Sequence, residues 1–256
     1  MKLSTSITLM FREFEPLERI EQAAKAGFQG VEIQVLEADP QAMAEAAKQH
    51  GVKVALLNVG MGDFLGGGPG LSGVPGREEE FRQAFDIALA AARTLDCAHI
   101  HIGPSCVPED TERDACLEAL ASNIRYALGK AQQHGIELLI EPVNRPERAT
   151  VLLGTTSEIV DFLESRSIQG VSVLYDIFHS VMSDEDPLQI LASYKQHIAH
   201  IQFSDVPGRT PPGKGTIAFE AIWSSLEAQG YDGWLGAEYF AMADTPDTLD
   251  WMQDFA

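Results

Sequence analysis

The sequence predicts an α/β fold in which eight strands alternate with helices and close into one (β/α)8 TIM barrel, a single domain over residues 1–256. Short runs of apolar or β-branched residues are repeatedly followed by Ala-, Leu- and Glu-rich stretches with helical spacing. Consecutive strands joined by a helix pair in parallel through right-handed crossovers. Eight such units in 256 residues have the size of a barrel, whereas a doubly wound sheet usually has fewer strands. No linker rich in Pro or Ser marks a second domain.

The predicted strands and helices alternate along the whole chain. The strands are Leu3–Leu9, Val31–Val35, Val54–Val59, Ala98–Gly103, Glu137–Val143, Val171–Tyr175, Ala199–Phe203 and Trp234–Tyr239. Helices are expected at Pro16–Ala26, Pro40–His50, Arg77–Leu95, Glu112–His134, Thr156–Ser165, Pro187–Lys195, Phe219–Gln229 and Pro246–Asp254. Glycines at which a left-handed C-cap lets the chain turn back support these boundaries, namely Gly27, Gly51, Gly135, Gly170 and Gly230.

One long irregular segment, Gly60–Gly76, follows the third strand and is rich in glycine. It lacks the GxxxxGK[ST] motif, and its glycines do not lead into a helix as they do in a dinucleotide-binding fingerprint. Because this loop would lie on the active face of a barrel, we expect a substrate-covering lid. An unspecialised flexible loop is the alternative.

Composition limits the class of partner. The chain has 18 basic and 38 acidic residues, a net charge of −20. Nucleic acids and anionic membranes attract basic surfaces, so neither is an expected partner. No window approaches the roughly 18 apolar residues that a membrane span requires.

The cysteines favour a reducing compartment. Cys97, Cys106 and Cys116 are an odd number without a CxxC pair, which is not typical of a disulfide framework or a structural zinc site. The first residues read as a strand, without the small-residue cleavage site of a secretory signal. We therefore expect a cytoplasmic protein.

Polar side chains finish or interrupt four successive apolar runs. Glu141, Asp176, Gln202 and Glu238 belong to predicted strands five to eight. In a barrel these ends meet at one face, where buried like charges repel unless a cation lies among them. Carboxylate and amide oxygens favour Mg²⁺ or Mn²⁺, which the sequence does not distinguish. A solvated rim carboxylate is the alternative for Glu141 taken alone.

The segments Ile140–Glu147, Tyr175–His179, His200–Arg209 and Gly236–Tyr239 resemble the xylose-isomerase-like barrels, which include hydroxypyruvate isomerase, 2-oxo-tetronate isomerase and the ketose 3-epimerases. The resemblance covers essentially the whole chain. It implies a divalent metal held by Glu141, Asp176, Gln202 and Glu238, with Glu141 and Glu238 as the acid/base pair. It also implies substrate contacts from three further side chains: His179, Arg209 and Glu147.

Several features are similar to the hydroxypyruvate isomerase branch in particular. The epimerases usually have His where this chain has Gln202, and the segment from Asn58 to Asp63 also looks like that branch. Relatives that repair DNA carry a histidine-rich multi-zinc site and a basic groove, which Gln202 and the acidic charge disfavour. Arg209, helped by Lys214, is expected to bind a substrate carboxylate, and a surface ion pair is the alternative for Arg209. Gln34 and Asn58, at the ends of the second and third predicted strands, are expected to line the pocket.

The resulting expectation is a metal-dependent isomerase that turns hydroxypyruvate into tartronate semialdehyde, or 2-oxo-tetronate into 3-oxo-tetronate. The metal would chelate the carbonyl and hydroxyl oxygens, one Glu would take the proton, and the other would return one to the neighbouring carbon of the enediolate. A ketose 3-epimerase with the same site and a non-catalytic barrel that binds a sugar acid are the alternatives. His99 and His101 are expected only to pack or hydrogen-bond. A homodimer is also expected.

Overall fold

Eight parallel strands form a closed barrel in the computed structural model, which describes residues 1–255. The strands are β1 Lys2–Ser6, β2 Gly30–Ile33, β3 Lys53–Asn58, β4 His99–His101, β5 Glu137–Ile140, β6 Val171–Asp176, β7 Ile198–Phe203 and β8 Trp234–Ala237. Each strand pairs with its neighbours in chain order, and β8 closes the ring against β1. The predicted (β/α)8 TIM barrel and its single domain are confirmed.

Helices follow the strands and cover the outside of the barrel. They are α1 Pro16–Lys25, α2 Pro40–His50, α3 Glu78–Thr94, α4 Arg113–Ala131, α5 Thr156–Ser165, α6 Ile177–Met182, α7 Pro187–Ser193 and α8 Phe219–Ala228. Local chemistry sets their ends, as α2 illustrates. The Asp39 carboxylate accepts hydrogen bonds from the backbone N–H groups of Gln41 and Ala42, Pro40 occupies the first turn, and Gly51 ends the helix at φ +73°. Within the described residues, no helix has the length and apolar character that a membrane crossing needs.

Helix α6 was not predicted, and it contributes His179 to the end of the barrel where the strand-end carboxylates lie. It starts directly after β6, and the Asp176 carboxylate accepts a hydrogen bond from the backbone N–H of Phe178 at 2.8 Å. The strand-end carboxylate therefore also caps this helix, which lies between the predicted strand Val171–Tyr175 and the predicted helix Pro187–Lys195. The helix carries His179 one turn from Asp176.

Two other segments differ from expectation. The last predicted helix, Pro246–Asp254, is two 3-10 segments, Thr245–Thr248 and Asp250–Phe255. The glycine-rich loop contains a 3-10 turn at Phe64–Gly66, and its second half is anchored, because Ser72 Oγ lies 2.7 Å from Ser105 Oγ. The second half of the glycine-rich loop is thus bonded to the loop that contains Ser105.

The inside of the barrel is divided into an apolar and a polar layer. Leu56, Leu139 and Leu174 pack together, apart from the main core between strands and helices. Side chains two residues further along the same strands point to the same interior, because strand residues alternate between two faces. These are Asn58, Glu141 and Asp176, so the interior becomes polar toward the C-terminal ends of the strands.

Candidate active site

The acidic side chains predicted at the strand ends come together at the C-terminal end of the barrel. Asp176 is the last residue of β6, while Glu141 and Glu238 directly follow β5 and β8. Gln202 on β7 is in register with Asp176 on one side and with Gly236 on the other. The side chains of Glu141 and Glu238 are each 11% exposed, and that of Asp176 is fully buried.

Burial and mutual repulsion disfavour the charged forms of two of these carboxylates. Burial, followed by the charges of Glu238 and Asp176, raises the pKa of Glu141 well above its usual value. Burial also raises the pKa of Glu238 to about 7, against the opposing effect of the nearby Arg209 guanidinium. Acidic groups shifted in this direction in a cleft are typical of sites that bind cations or transfer protons.

Arg209 enters the carboxylate cluster from the loop after β7. Its Nη2 donates to Asp176 Oδ2 and lies 2.9 Å from His179 Nε2. Its Nη1 donates to the backbone carbonyl of Glu238 at 3.0 Å and is 3.2 Å from Glu238 Oε2. The guanidinium also lies over the ring of Phe178, 4.7 Å from its centroid. Arg209 is therefore a counter-ion for the cluster, and two of its nitrogens are already engaged there.

His179 lies among the carboxylates. Its Nε2 is 3.9 Å from Glu141 Oε1 and 3.9 Å from Asp176 Oδ2, and these three residues form a group whose ligand atoms lie within 4.8 Å of one another. The side-chain amide of Asn144 lies 2.6 Å from His179 Nδ1. Burial, followed by the charge of Arg209, lowers the pKa of His179 to about 3, so the ring is neutral near pH 7.

Gln202 has one satisfied and one unsatisfied end. Its Nε2 donates to Glu32 Oε2 at 2.8 Å, whereas its Oε1 is buried without a hydrogen-bond partner among the described residues. A buried carbonyl oxygen without a donor costs free energy unless a ligand or water completes it. The unpartnered oxygen thus fits the predicted role of Gln202 as a ligand of a hard cation.

A cavity of about 280 Å³ opens onto this cluster. Four of the predicted substrate-contact residues line it, namely Asn58, Glu147, His179 and Arg209, together with Glu141 and Glu238. Lys214 is not among the lining residues of the described chain, and it is exposed on the loop after β7. The volume suits a small molecule rather than a polymer.

Three further residues lie at the site without having been predicted there, namely Glu32, His101 and Arg148, whereas Gln34 was expected to line the pocket and does line the cavity. Glu32 is a fully buried carboxylate on β2, and Gln34 donates to Glu238 Oε1 at 3.2 Å. The buried ring of His101 lies 3.8 Å from Glu141 Oε2, and neither of its nitrogens has a hydrogen-bond partner among the described residues. Arg148 lines the cavity. The period-2 alternation along β2 and β4 was the available signal for Glu32 and His101, since it directs them into the barrel.

The chain is similar over its full length to proteins named as isomerases. The chain is 32% identical over 255 residues to a 2-oxo-tetronate isomerase of Haemophilus influenzae, covering 99% of both chains. It is 28% identical over 256 residues to the hydroxypyruvate isomerase of Escherichia coli, covering 100% of this chain and 99% of that one.

Solved structures agree on the fold. A protein from Brucella melitensis described as an AP endonuclease of family 2 superposes with a TM-score of 0.93 at 34% identity, covering 99% of this chain and 98% of that one. The apo 3-keto-D-glucoside 4-epimerase of E. coli superposes with a TM-score of 0.84 at 21% identity and 99% coverage of both chains. The model of the xylose isomerase-like TIM barrel family matches residues 20–255. The chain therefore belongs to the xylose isomerase-like TIM barrel family.

Proposed function

We propose that this protein is a metal-dependent isomerase of a small hydroxy-oxo acid, which converts hydroxypyruvate to tartronate semialdehyde or 2-oxo-tetronate to 3-oxo-tetronate. The observation that carries the proposal is the cluster of Glu141, Asp176 and Glu238 beside a cavity of about 280 Å³. Isomerases with these two names are similar to the chain over its full length, which supports the same chemistry.

Glu141, Asp176, Gln202 and Glu238 would hold the cofactor, a divalent Mg²⁺ or Mn²⁺ ion. The raised pKa of Glu141 and the unpartnered Gln202 Oε1 both support a cation site built of oxygen donors. His179 is a further candidate ligand, since it groups with Glu141 and Asp176. When bound, the cation would polarise the substrate carbonyl and stabilise negative charge on its oxygens.

Glu141 and Glu238 are proposed as the acid/base pair. They follow β5 and β8, strands that are not neighbours in the ring, so they approach the cavity from different sides. One carboxylate would take the proton from the hydroxyl-bearing carbon next to the carbonyl, and the other would return a proton to the former carbonyl carbon, while the hydroxyl proton passes to the former carbonyl oxygen. A pKa of about 7 for Glu238 suits a group that both accepts and donates near neutral pH.

Substrate recognition is proposed to involve two arginines. Arg209 already contacts Asp176, His179 and Glu238 through Nη1 and Nη2, so its Nε–H is left for a substrate oxygen. Arg148 is a second cation in the cavity lining, stacked 4.7 Å from the centroid of the Phe64 ring. We assign the substrate carboxylate to Arg148 and Arg209 together, because both guanidinium groups are positively charged hydrogen-bond donors. Asn58, His179 and Glu147 would contact the hydroxyl and carbonyl oxygens, and exposed Lys214 would act from the rim.

Three other functions are less well supported. A ketose 3-epimerase would use a comparable acid/base pair, but the D-psicose 3-epimerase of Clostridium cellulolyticum, a similar structure, is only 20% identical to this chain. A non-catalytic sugar-acid-binding barrel would have no need of two acid/base carboxylates. A nucleic-acid substrate conflicts with a net charge of −20.

Two further expectations complete the proposal. Cys97, Cys106 and Cys116 are free and buried, which supports a reducing cytoplasmic compartment. A homodimer stays a prediction, and it would be tested by measuring the molar mass of the protein by light scattering during size-exclusion chromatography.

The test is a set of reactions in D₂O followed by NMR. Hydroxypyruvate, a 2-oxo-tetronate and a ketohexose are each offered with Mg²⁺, with Mn²⁺ and with EDTA. We expect isomerised acid with either metal and none with EDTA. Turnover of the ketohexose alone would replace the proposal with the epimerase, and no turnover or exchange with any metal would favour the binding barrel.

A further inference from the structure

Glu32 is a carboxyl side chain buried inside the barrel, and its two oxygens contact three polar side chains. Its Oε1 accepts from Ser4 Oγ at 2.6 Å and lies 2.7 Å from His200 Nε2, while its Oε2 accepts from Gln202 Nε2 at 2.8 Å. Glu32 and His200 are both 0% exposed. A buried carboxylate is costly unless such bonds compensate for the lost water. The contacts with Ser4, His200 and Gln202 supply that compensation and fix the Glu32 side chain inside the barrel.

The barrel leaves space for Glu32 at one specific place. Gly236 on β8 is in register with Ser4 on one side and with Gln202 on the other. A Cβ atom at position 236 would lie 1.9 Å from Glu32 Oε1. Only glycine fits there, and the missing side chain lets Glu32 reach from β2 to Gln202 on β7.

The contact fixes which end of the Gln202 amide points away from Glu32. A carboxylate only accepts hydrogen bonds, whereas the two ends of an amide differ, with N–H donors on one side and an acceptor oxygen on the other. Glu32 therefore selects the nitrogen, and Oε1 is left facing the other way, buried and without a partner among the described residues.

We propose that Glu32 is a positioning residue that orients the Gln202 amide so that its oxygen, and not its nitrogen, is presented to the divalent cation. His200 and Ser4 hold Glu32 in place through its other oxygen. The inference rests on the proposed metal-dependent function and adds a residue that acts through the ligand rather than on the substrate. Such supporting partners commonly change metal affinity 10- to 100-fold.

The decisive variant is Glu32→Gln. Its oxygen still accepts from Ser4 and His200, but its amide nitrogen now faces the nitrogen of Gln202. The Gln202 amide then inverts and presents N–H groups to the cation. Mn²⁺ binding to the EDTA-treated and desalted protein, measured by titration calorimetry, should weaken roughly 10- to 100-fold.

Two further variants test whether the loss of Mn²⁺ affinity comes from the orientation of the Gln202 amide. The double variant E32Q/Q202E places a carboxylate at position 202, which presents an oxygen from either end, so it should recover most of the lost affinity. Ser4→Ala removes one of the two contacts to Glu32 Oε1 and leaves His200 to hold that oxygen, so the contact with Gln202 and the Mn²⁺ affinity should stay close to those of the wild type. Thermal unfolding of each protein checks that it is folded.

The possible failures are distinguishable. Wild-type affinity in folded Glu32→Gln would overturn this inference alone, and so would equal losses in Glu32→Gln and E32Q/Q202E, because the swap would then restore nothing. Absence of Mn²⁺ and Mg²⁺ binding by the wild type would overturn the proposed cofactor and this inference with it.

Discussion

The raised pKa of Glu238 makes the stability of the metal-free protein depend on pH. In the unfolded chain this carboxyl titrates near 4.5, and in the folded protein near 7. The folded state therefore holds the proton more tightly, so the stabilisation is fully present below pH 4.5 and is lost as the pH rises through 7. A difference of this size corresponds to about 3 kcal/mol of unfolding free energy. Solvent screening reduces it little, because the side chain is only 11% exposed.

Glu238→Gln isolates this effect, since a neutral amide does not titrate. Urea unfolding of both proteins in EDTA, followed by tryptophan fluorescence from pH 5 to pH 8.5, gives the two free energies at each pH. The variant should gain about 2 to 3 kcal/mol relative to the wild type across this range. Comparing the two proteins cancels contributions that they share, including most of the histidine titration. Free energies that run parallel at every pH would refute a raised Glu238 pKa.

The remaining predictions concern packing, recognition and acid stability. Gly236→Ala should destabilise the fold by at least about 1–3 kcal/mol in the same urea assay, because its Cβ would lie 1.9 Å from Glu32 Oε1. Gly129→Ala in α4 is the control: its Cβ would meet nothing within 4 Å, so this variant should be neutral or stabilising. Arg148→Gln should lower kcat/KM for the acid substrates roughly 10- to 100-fold by removing a charged hydrogen-bond donor, and an equal loss with a neutral ketose would contradict that role. Burial lowers the pKa of His101 to about 3, so the folded protein should lose stability as the pH falls from 6.5 toward 3. The His101→Gln variant should lose less stability over this range. Equal decreases in the urea midpoints of the wild type and the variant would contradict the buried neutral ring.

The fold could be predicted because strand and helix periodicity follows directly from which side chains must be buried. Eight alternating units give both the barrel and the face on which the strands end. The strand-end rule located Glu141, Asp176 and Glu238 for the same reason. Helix α6 escaped prediction because its N-cap, Asp176, was assigned only as a strand-end carboxylate.

Residues inside the strands were harder to assign. Glu32 lies between Val31 and Ile33, both buried against the helices, so the local sequence reads as an interrupted apolar run. Only the three-dimensional pairing places it beside Gln202, which is 170 positions away. Arg209 illustrates a different limit. Its charge was expected to bind substrate, but sequence spacing does not reveal that its loop returns it to Asp176 and Glu238.

Proton transfer between Glu141 and Glu238 is the central claim, and solvent deuterium incorporation tests it most directly. Hydroxypyruvate in D₂O with Mg²⁺ is followed by NMR for the wild type, Glu141→Gln and Glu238→Gln. We predict that one variant still exchanges deuterium into recovered hydroxypyruvate without forming isomerised acid, while the other loses both reactions. Isomerisation at the wild-type rate by both variants would contradict the claim.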